Sequence, residues 1–231
     1  MEIATGVHAV PLKGAIGHLI DDDGLTLIDA GLPGSAAKLI AYIAEQGRSM
    51  DELVRIVCTH GHPDHIGGVR ELAGDRVDVL LHPADAAALE VTVKEALRRP
   101  SRSKVFAITA RKPHATIPMT DGDILPILGG LEVIHTPGHT AGSVCLYAAR
   151  DRLLFVGDAL EVRRGVVGFA SPLFSDDIAS ARNSVERLAG RDVALIIFAH
   201  SPPWSDDPNG VLAGLAAQAR RKNRAQRANS T

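Results

Sequence analysis

The sequence predicts a layered α/β domain, and three observations lead there. Short apolar runs of strand length alternate along the chain with segments of helical periodicity, the interleaving expected when helices pack on sheets. Four of the apolar runs end in a His or an Asp, which puts chemistry at one end of a sheet. The 231 residues, 45% of them hydrophobic, are enough to bury a sizeable core. Candidate functional residues are spread from position 60 to 200, so residues 1–231 read as a single domain.

Residues 1–21 have neither a basic start nor a long apolar core and read as a first strand instead of a targeting peptide. Strand-like runs follow at 16–21 and 25–30, then a helical pattern at 34–47. The β-branched run Leu53-Val54-Arg55-Ile56-Val57-Cys58 predicts a strand over 53–59, which Gly61 and Pro63 terminate. A helix is expected over 64–73, with Asp64 at its start, where a carboxylate accepts orphan N–H groups and meets the positive helix end. A strand at 77–82 and a helix at 83–98 come next. The segment 99–120, with Arg99, Arg102, Lys104, Arg111 and Lys112 among three prolines, is the least regular stretch and reads as a rim loop that contacts substrate. Strands are expected at 131–136, 143–149, 152–157 and 193–199, with helices at 176–189 and 209–227. The last helix ends in a basic tail whose cations complement the helix C-terminus.

His60, His62, Asp64 and His65 fall within six residues, and this crowding points to a metal. Imidazole nitrogens and carboxylate oxygens suit zinc, and also iron or manganese. Four groups so close in sequence cannot all reach one ion with good geometry. The other strand ends supply more: His139 in Thr136-Pro137-Gly138-His139, Asp158 after Gly157, and His200 after Ala199. His8, His18, His82, His114 and His135 read as structural or solvent-facing, with His18 the one to watch because it follows a glycine near an early strand. Cys58 and Cys145 sit inside strand-like runs and read as buried thiols of a reducing compartment, which points to the cytoplasm. A net charge of −2 gives no reason to expect nucleic-acid binding, and no run approaches membrane-spanning length, so the expected partner is a small-molecule substrate. The sequence does not indicate an oligomeric state.

Taken together, Leu27-Ile28-Asp29-Ala30-Gly31, the His60 to His65 motif, Thr136-Pro137-Gly138-His139-Thr140-Ala141-Gly142-Ser143, Phe155-Val156-Gly157-Asp158 and His200 resemble the metallo-β-lactamase fold superfamily, in its hydroxyacylglutathione hydrolase (glyoxalase II)-like branch. The resemblance implies an αββα four-layer sandwich. It also implies two divalent ions: His60, His62 and His139 on one, Asp64, His65 and His200 on the other, Asp158 bridging, and Asp29 supporting a ligand histidine. One departure is visible, since relatives usually read Gly-His-Gly at the last ligand and this chain reads Ala199-His200-Ser201.

The implied activity is hydrolysis of a small ester, thioester or lactone by a hydroxide bridging the metals, with Asp64 orienting or deprotonating the water. A different class is also implied: a mononuclear iron oxidoreductase of the persulfide dioxygenase type, using His60, His139 and Asp158. β-Lactam hydrolysis is expected at most as a minor activity, because class B β-lactamases lack a bridging aspartate. The C-terminal helical domain of glyoxalase II enzymes is not expected, with about thirty residues after His200. Arg163 and Arg164, just after Asp158, are candidates for a substrate carboxylate, and Trp204 for the pocket wall or a loop anchor.

Overall fold

The computed structural model describes residues 1–74, 76–90, 113, 114 and 116–228. Two sheets face one another. The first has seven strands in sequential order: β1 (Glu2–Ala4), β2 (Val7–Pro11), β3 (Ile16–Asp22), β4 (Gly24–Ile28), β5 (Leu53–Val57), β6 (Asp78–Leu81) and β7 (Ile117–Pro118). β1 to β4 form an antiparallel meander, and β4 to β7 run parallel. The second sheet has the order β14 (Leu195–Ile197), β11 (Leu153–Phe155), β10 (Val144–Ala148), β9 (Leu131–His135), β8 (Ile124–Leu125), antiparallel except for the β11–β14 pair. A separate hairpin joins β12 (Leu160–Arg163) to β13 (Val166–Phe169).

Strand periodicity explains the layering. Along β10, Val144, Leu146 and Ala148 join the core between the sheets, while Cys145 and Tyr147 face the opposite side, toward the helices α5 (Ile178–Val185) and α6 (Pro208–Ala228). On β4, Ile28 faces the inter-sheet core, while Leu25 and Leu27 join the cluster that holds Leu39 and Ile43 of α1 (Ala36–Glu45). Three hydrophobic clusters separated by two sheets make the αββα sandwich that the resemblance implies. Truncating a central residue such as Leu146, which is fully buried, would cost about 2–5 kcal/mol.

Two expected elements change form. The helix over 64–73 is two short helices, α2 (Pro63–Ile66) and α3 (Val69–Leu72). The break falls at Gly67-Gly68, where a Cβ on Gly68 would lie 2.2 Å from the Ala30 carbonyl oxygen, so the backbone packs too closely on the loop after β4 for any other residue. Asp64 does not cap it. Pro63, which has no N–H to satisfy and a fixed φ, takes the first helical position, and His62 becomes the extended residue before it. Of the helix expected over 83–98, Pro83–Leu89 forms α4, and residues 91–98 lie outside the described residues. So does most of the basic segment, including Arg99, Arg102, Lys104, Arg111 and Lys112. Among the described residues, no helix is long and apolar enough to cross a membrane.

Candidate metal centre

The site is built at the C-terminal ends of five strands. β4 leads into Asp29, β5 into Thr59 and His60, β9 through a short loop into His139, β11 into Asp158, and β14 into His200. The strand pairing accounts for the convergence: β4 runs parallel to β5, β11 to β14, and β9 and β11 are both antiparallel to β10. Asp29 adopts a left-handed backbone conformation (φ 59°), which Asp tolerates better than most residues. From there its carboxylate accepts the Thr59 amide at 2.8 Å and the Thr59 hydroxyl at 2.8 Å, and pairs with His65 Nδ1 at 2.8 Å. With Nδ1 held there, His65 Nε2 lies toward His200 and Asp158.

His60, His62 and His139 form one group of potential ligand atoms, all buried and within 4.8 Å of one another. His62 Nδ1 and His139 Nε2 are 3.0 Å apart. His60 Nδ1 lies 3.2 Å from the Thr59 hydroxyl, whose own proton goes to Asp29. The network is satisfied when His60 donates from Nδ1, which leaves Nε2 a bare acceptor. That atom is buried and has no hydrogen-bond partner among the described residues. Burial and the neighbouring histidines push His60 well below the ordinary histidine range, and the same causes hold His62 at about 3. These rings are neutral and ready to donate lone pairs.

Asp64, His65 and His200 form the second group. His200 Nε2 lies 3.3 Å from His65 Nε2 and 3.5 Å from Asp64 Oδ2. Burial opposes a charge on His65, but Asp29, Asp158 and Asp64 outweigh it and raise its pKa to about 10. His200 is also raised, chiefly by its hydrogen bond to Asp158. Asp158 spans both groups: Oδ2 is 3.3 Å from His139 Nε2, while Oδ1 is 3.2 Å from His200 Nε2 and 3.5 Å from His65 Nε2. Burial works against its charge, yet His65, His139 and His200 hold it well below the usual carboxylate range.

An unpartnered imidazole nitrogen, neutral rings and carboxylates that favour a positive charge beside them are together the donor set of a divalent cation, and they fit one here. A cavity of about 520 Å³ opens onto the cluster, with His62, Asp64, His139, Asp158 and His200 in its wall. The rest of its lining is largely apolar, with Leu32, Pro63, Leu160, Phe174 and Phe198, and with Glu161 and Ser171 as polar points.

The weaker candidates lie elsewhere. Arg163 projects from β12, pairs with Glu161 at 2.7 Å and donates to the Ser171 hydroxyl at 3.0 Å, so it supports the wall without lining it. Arg164 is the exposed turn of the hairpin. Trp204 pairs through its backbone with Ile196, packs against the core beneath α6, and donates its indole N–H to the Asp206 carbonyl; it anchors its loop. His18 is buried between the sheets with its ring edge-on to Phe155 and belongs to neither ligand group. Glu161, Ser171 and Phe174 fall between the strand expected at 152–157 and the helix expected at 176–189, and no sequence motif singles them out.

Residues 16–200 match the metallo-beta-lactamase superfamily model. The probable metallo-hydrolase YflN of Bacillus subtilis (strain 168) is 28% identical over 231 aligned positions, covering 88% of this chain and 87% of YflN. The acyl-coenzyme A thioesterase MBLAC2 of Bos taurus is 34% identical over 158 positions (58% of this chain, 53% of MBLAC2), and a hydroxyacylglutathione hydrolase of Rhodopseudomonas palustris (strain HaA2) is 32% identical over 164 (68% and 53%). The chain thus spans about half the length of these last two relatives. A metallo-beta-lactamase family protein of Thermus thermophilus shares the fold, with a TM-score of 0.76 over 97% of this chain and 82% of that one at 23% identity. The matched region runs through every strand end that contributes to the cluster, and the chain belongs to the metallo-beta-lactamase superfamily.

Proposed function

We propose that this centre holds two divalent ions, zinc by preference, and hydrolyses a small ester, thioester or lactone, with a thioester of an apolar acyl group as the favoured substrate. The observation that carries the reading is Asp158, whose two oxygens face different ligand groups. A carboxylate so disposed is what a pair of ions needs between them. When bound, the ions would polarise the scissile carbonyl and supply a hydroxide nucleophile at neutral pH.

The chain's own residues do the rest. His60 and His62, kept neutral by burial, would with His139 hold one ion, and Asp64, His65 and His200 the other. Asp64, in the cavity wall and partly exposed, is the group positioned to accept a proton from the attacking water. Leu32, Leu160 and Phe174 offer apolar surface to the acyl group and exclude water from it. Glu161 disfavours an anionic acyl chain in the same wall. The names of the thioesterase and hydroxyacylglutathione hydrolase relatives agree with thioester chemistry.

The test is metal analysis of protein purified without added metal, with a panel of ester, thioester, lactone and β-lactam substrates. Two zinc ions per chain and preferential thioester cleavage are expected. One iron per chain with oxygen uptake on a persulfide would replace this reading with the oxidoreductase one.

A further inference from the structure

Asp85 lies outside both ligand groups, and no motif in the sequence singles it out. It sits in the first turn of α4 and is 2% exposed. A carboxylate so deeply buried is costly unless its lone pairs are taken up. Among the described residues, its side-chain hydrogen bonds all come from the two loops that carry the three-histidine group. Oδ2 accepts the backbone N–H of Gly61 at 2.8 Å and the hydroxyl of Thr140 at 2.7 Å, and Oδ1 accepts the backbone N–H of Gly142 at 2.7 Å. Gly61 separates His60 from His62, and Thr140 follows His139. The approach is close enough to need a glycine: a Cβ on Gly142 would lie 2.7 Å from the Asp85 carboxyl carbon.

We infer that Asp85 is a positioning residue that ties the His60–His62 loop to the His139 loop and so sets the geometry of the three-histidine ligand group, while Asp29 does the corresponding work for His65. The inference rests on the proposed two-ion centre. A carboxylate is required and not merely a polar side chain. Each of its oxygens faces a backbone N–H, so an asparagine, whichever way its amide is turned, sets an NH₂ against one of them.

The test is titration of the metal-free full-length protein with cobalt(II) under chelator competition, which resolves the affinities of successive equivalents, with the ligand-field bands reporting which environment fills. Asp85→Asn is expected to weaken one equivalent about 10–100-fold and leave the other within about threefold, as loss of a group orienting metal ligands does. Asp29→Asn is expected to weaken the opposite equivalent. A purely structural role predicts a lower melting temperature of metal-free Asp85→Asn with both equivalents unchanged, or both weakened alike, and either result overturns the inference. If Asp85→Asn does not fold, Thr140→Val, which removes one of the three bonds, must weaken the same equivalent by about threefold; no change there overturns it too. Wild-type protein that binds no cobalt would instead refute the two-ion reading, whereas normal wild-type binding with an unaltered variant refutes only the role of Asp85.

Discussion

The two ligand groups of this centre are assembled in opposite electrostatic regimes. His60, His62 and His139 are buried and have no carboxylate of their own apart from the shared Asp158, and desolvation and the neighbouring histidines keep His60 and His62 neutral. In the second group His65 sits against three carboxylates, Asp29, Asp158 and the group's own Asp64, and His200, the most accessible member, lies in the cavity wall. The first group is poised by what it lacks, the second by charge that a cation would neutralise. Asp158 joins them, so the comparison can be broken at the joint or on either side.

The largest effect is expected at the joint. Asp158→Ala removes an oxygen from each group and should lower the rate of ester or thioester cleavage about 10³-fold or more, the several kcal/mol that a polarising metal pair supplies. Metal stoichiometry by elemental analysis should fall below the wild-type value. Full activity in this variant would end the shared-carboxylate account.

The pH dependence of the metal-free protein sharpens the contrast, because the two groups should fail on opposite sides of neutrality. His62 titrates near 3 in the fold against about 6.5 unfolded, so the unfolded chain binds the extra proton in that window and stability is lost as pH falls from 6.5 toward 3. His65, raised to about 10, contributes stability that is complete below 6.5 and lost as pH rises through 10. Thermal melts of metal-free protein should therefore decline on both flanks. Added zinc should flatten the alkaline decline, since it takes the place of the His65 proton; an alkaline flank unaltered by zinc would contradict the assignment of His65 as a ligand.

Smaller effects are expected away from the ions. Phe174→Ala should reduce kcat/KM for an apolar acyl thioester about tenfold, with little change for an acetyl ester, because only the longer acyl group reaches that wall. Arg164→Ala, at the exposed hairpin turn, should stay within about twofold on every substrate. A larger loss would restore the role in carboxylate binding that its position after Asp158 suggests.

The candidate ligands were legible in the sequence because each sits where an apolar run of strand length stops, and the αββα layering was legible through the family resemblance. The hairpin β12–β13 was not. Its residues alternate as strands do, but its turn is Arg164-Gly165 with both φ values positive (50° and 75°), and an arginine there carries none of the Asn-Gly signal that marks such turns. With the hairpin went Glu161, the ion pair that occupies Arg163, and the cavity wall. Asp85 was invisible for a different reason. Its partners are the backbone amides of Gly61 and Gly142 and the Thr140 hydroxyl, brought to it by the packing of α4 on two distant loops, and no local pattern records that. The break at Gly67-Gly68 likewise depends on where Ala30 falls, which only the fold decides.

The most direct test of the central claim is the number of metal ions per chain in protein purified without added metal, measured alongside thioester cleavage before and after exhaustive chelation. The account predicts two divalent ions per chain, and cleavage that is lost on chelation and returns only as the second equivalent of zinc is restored. Full cleavage by metal-free protein, or full recovery with a single equivalent, would contradict it.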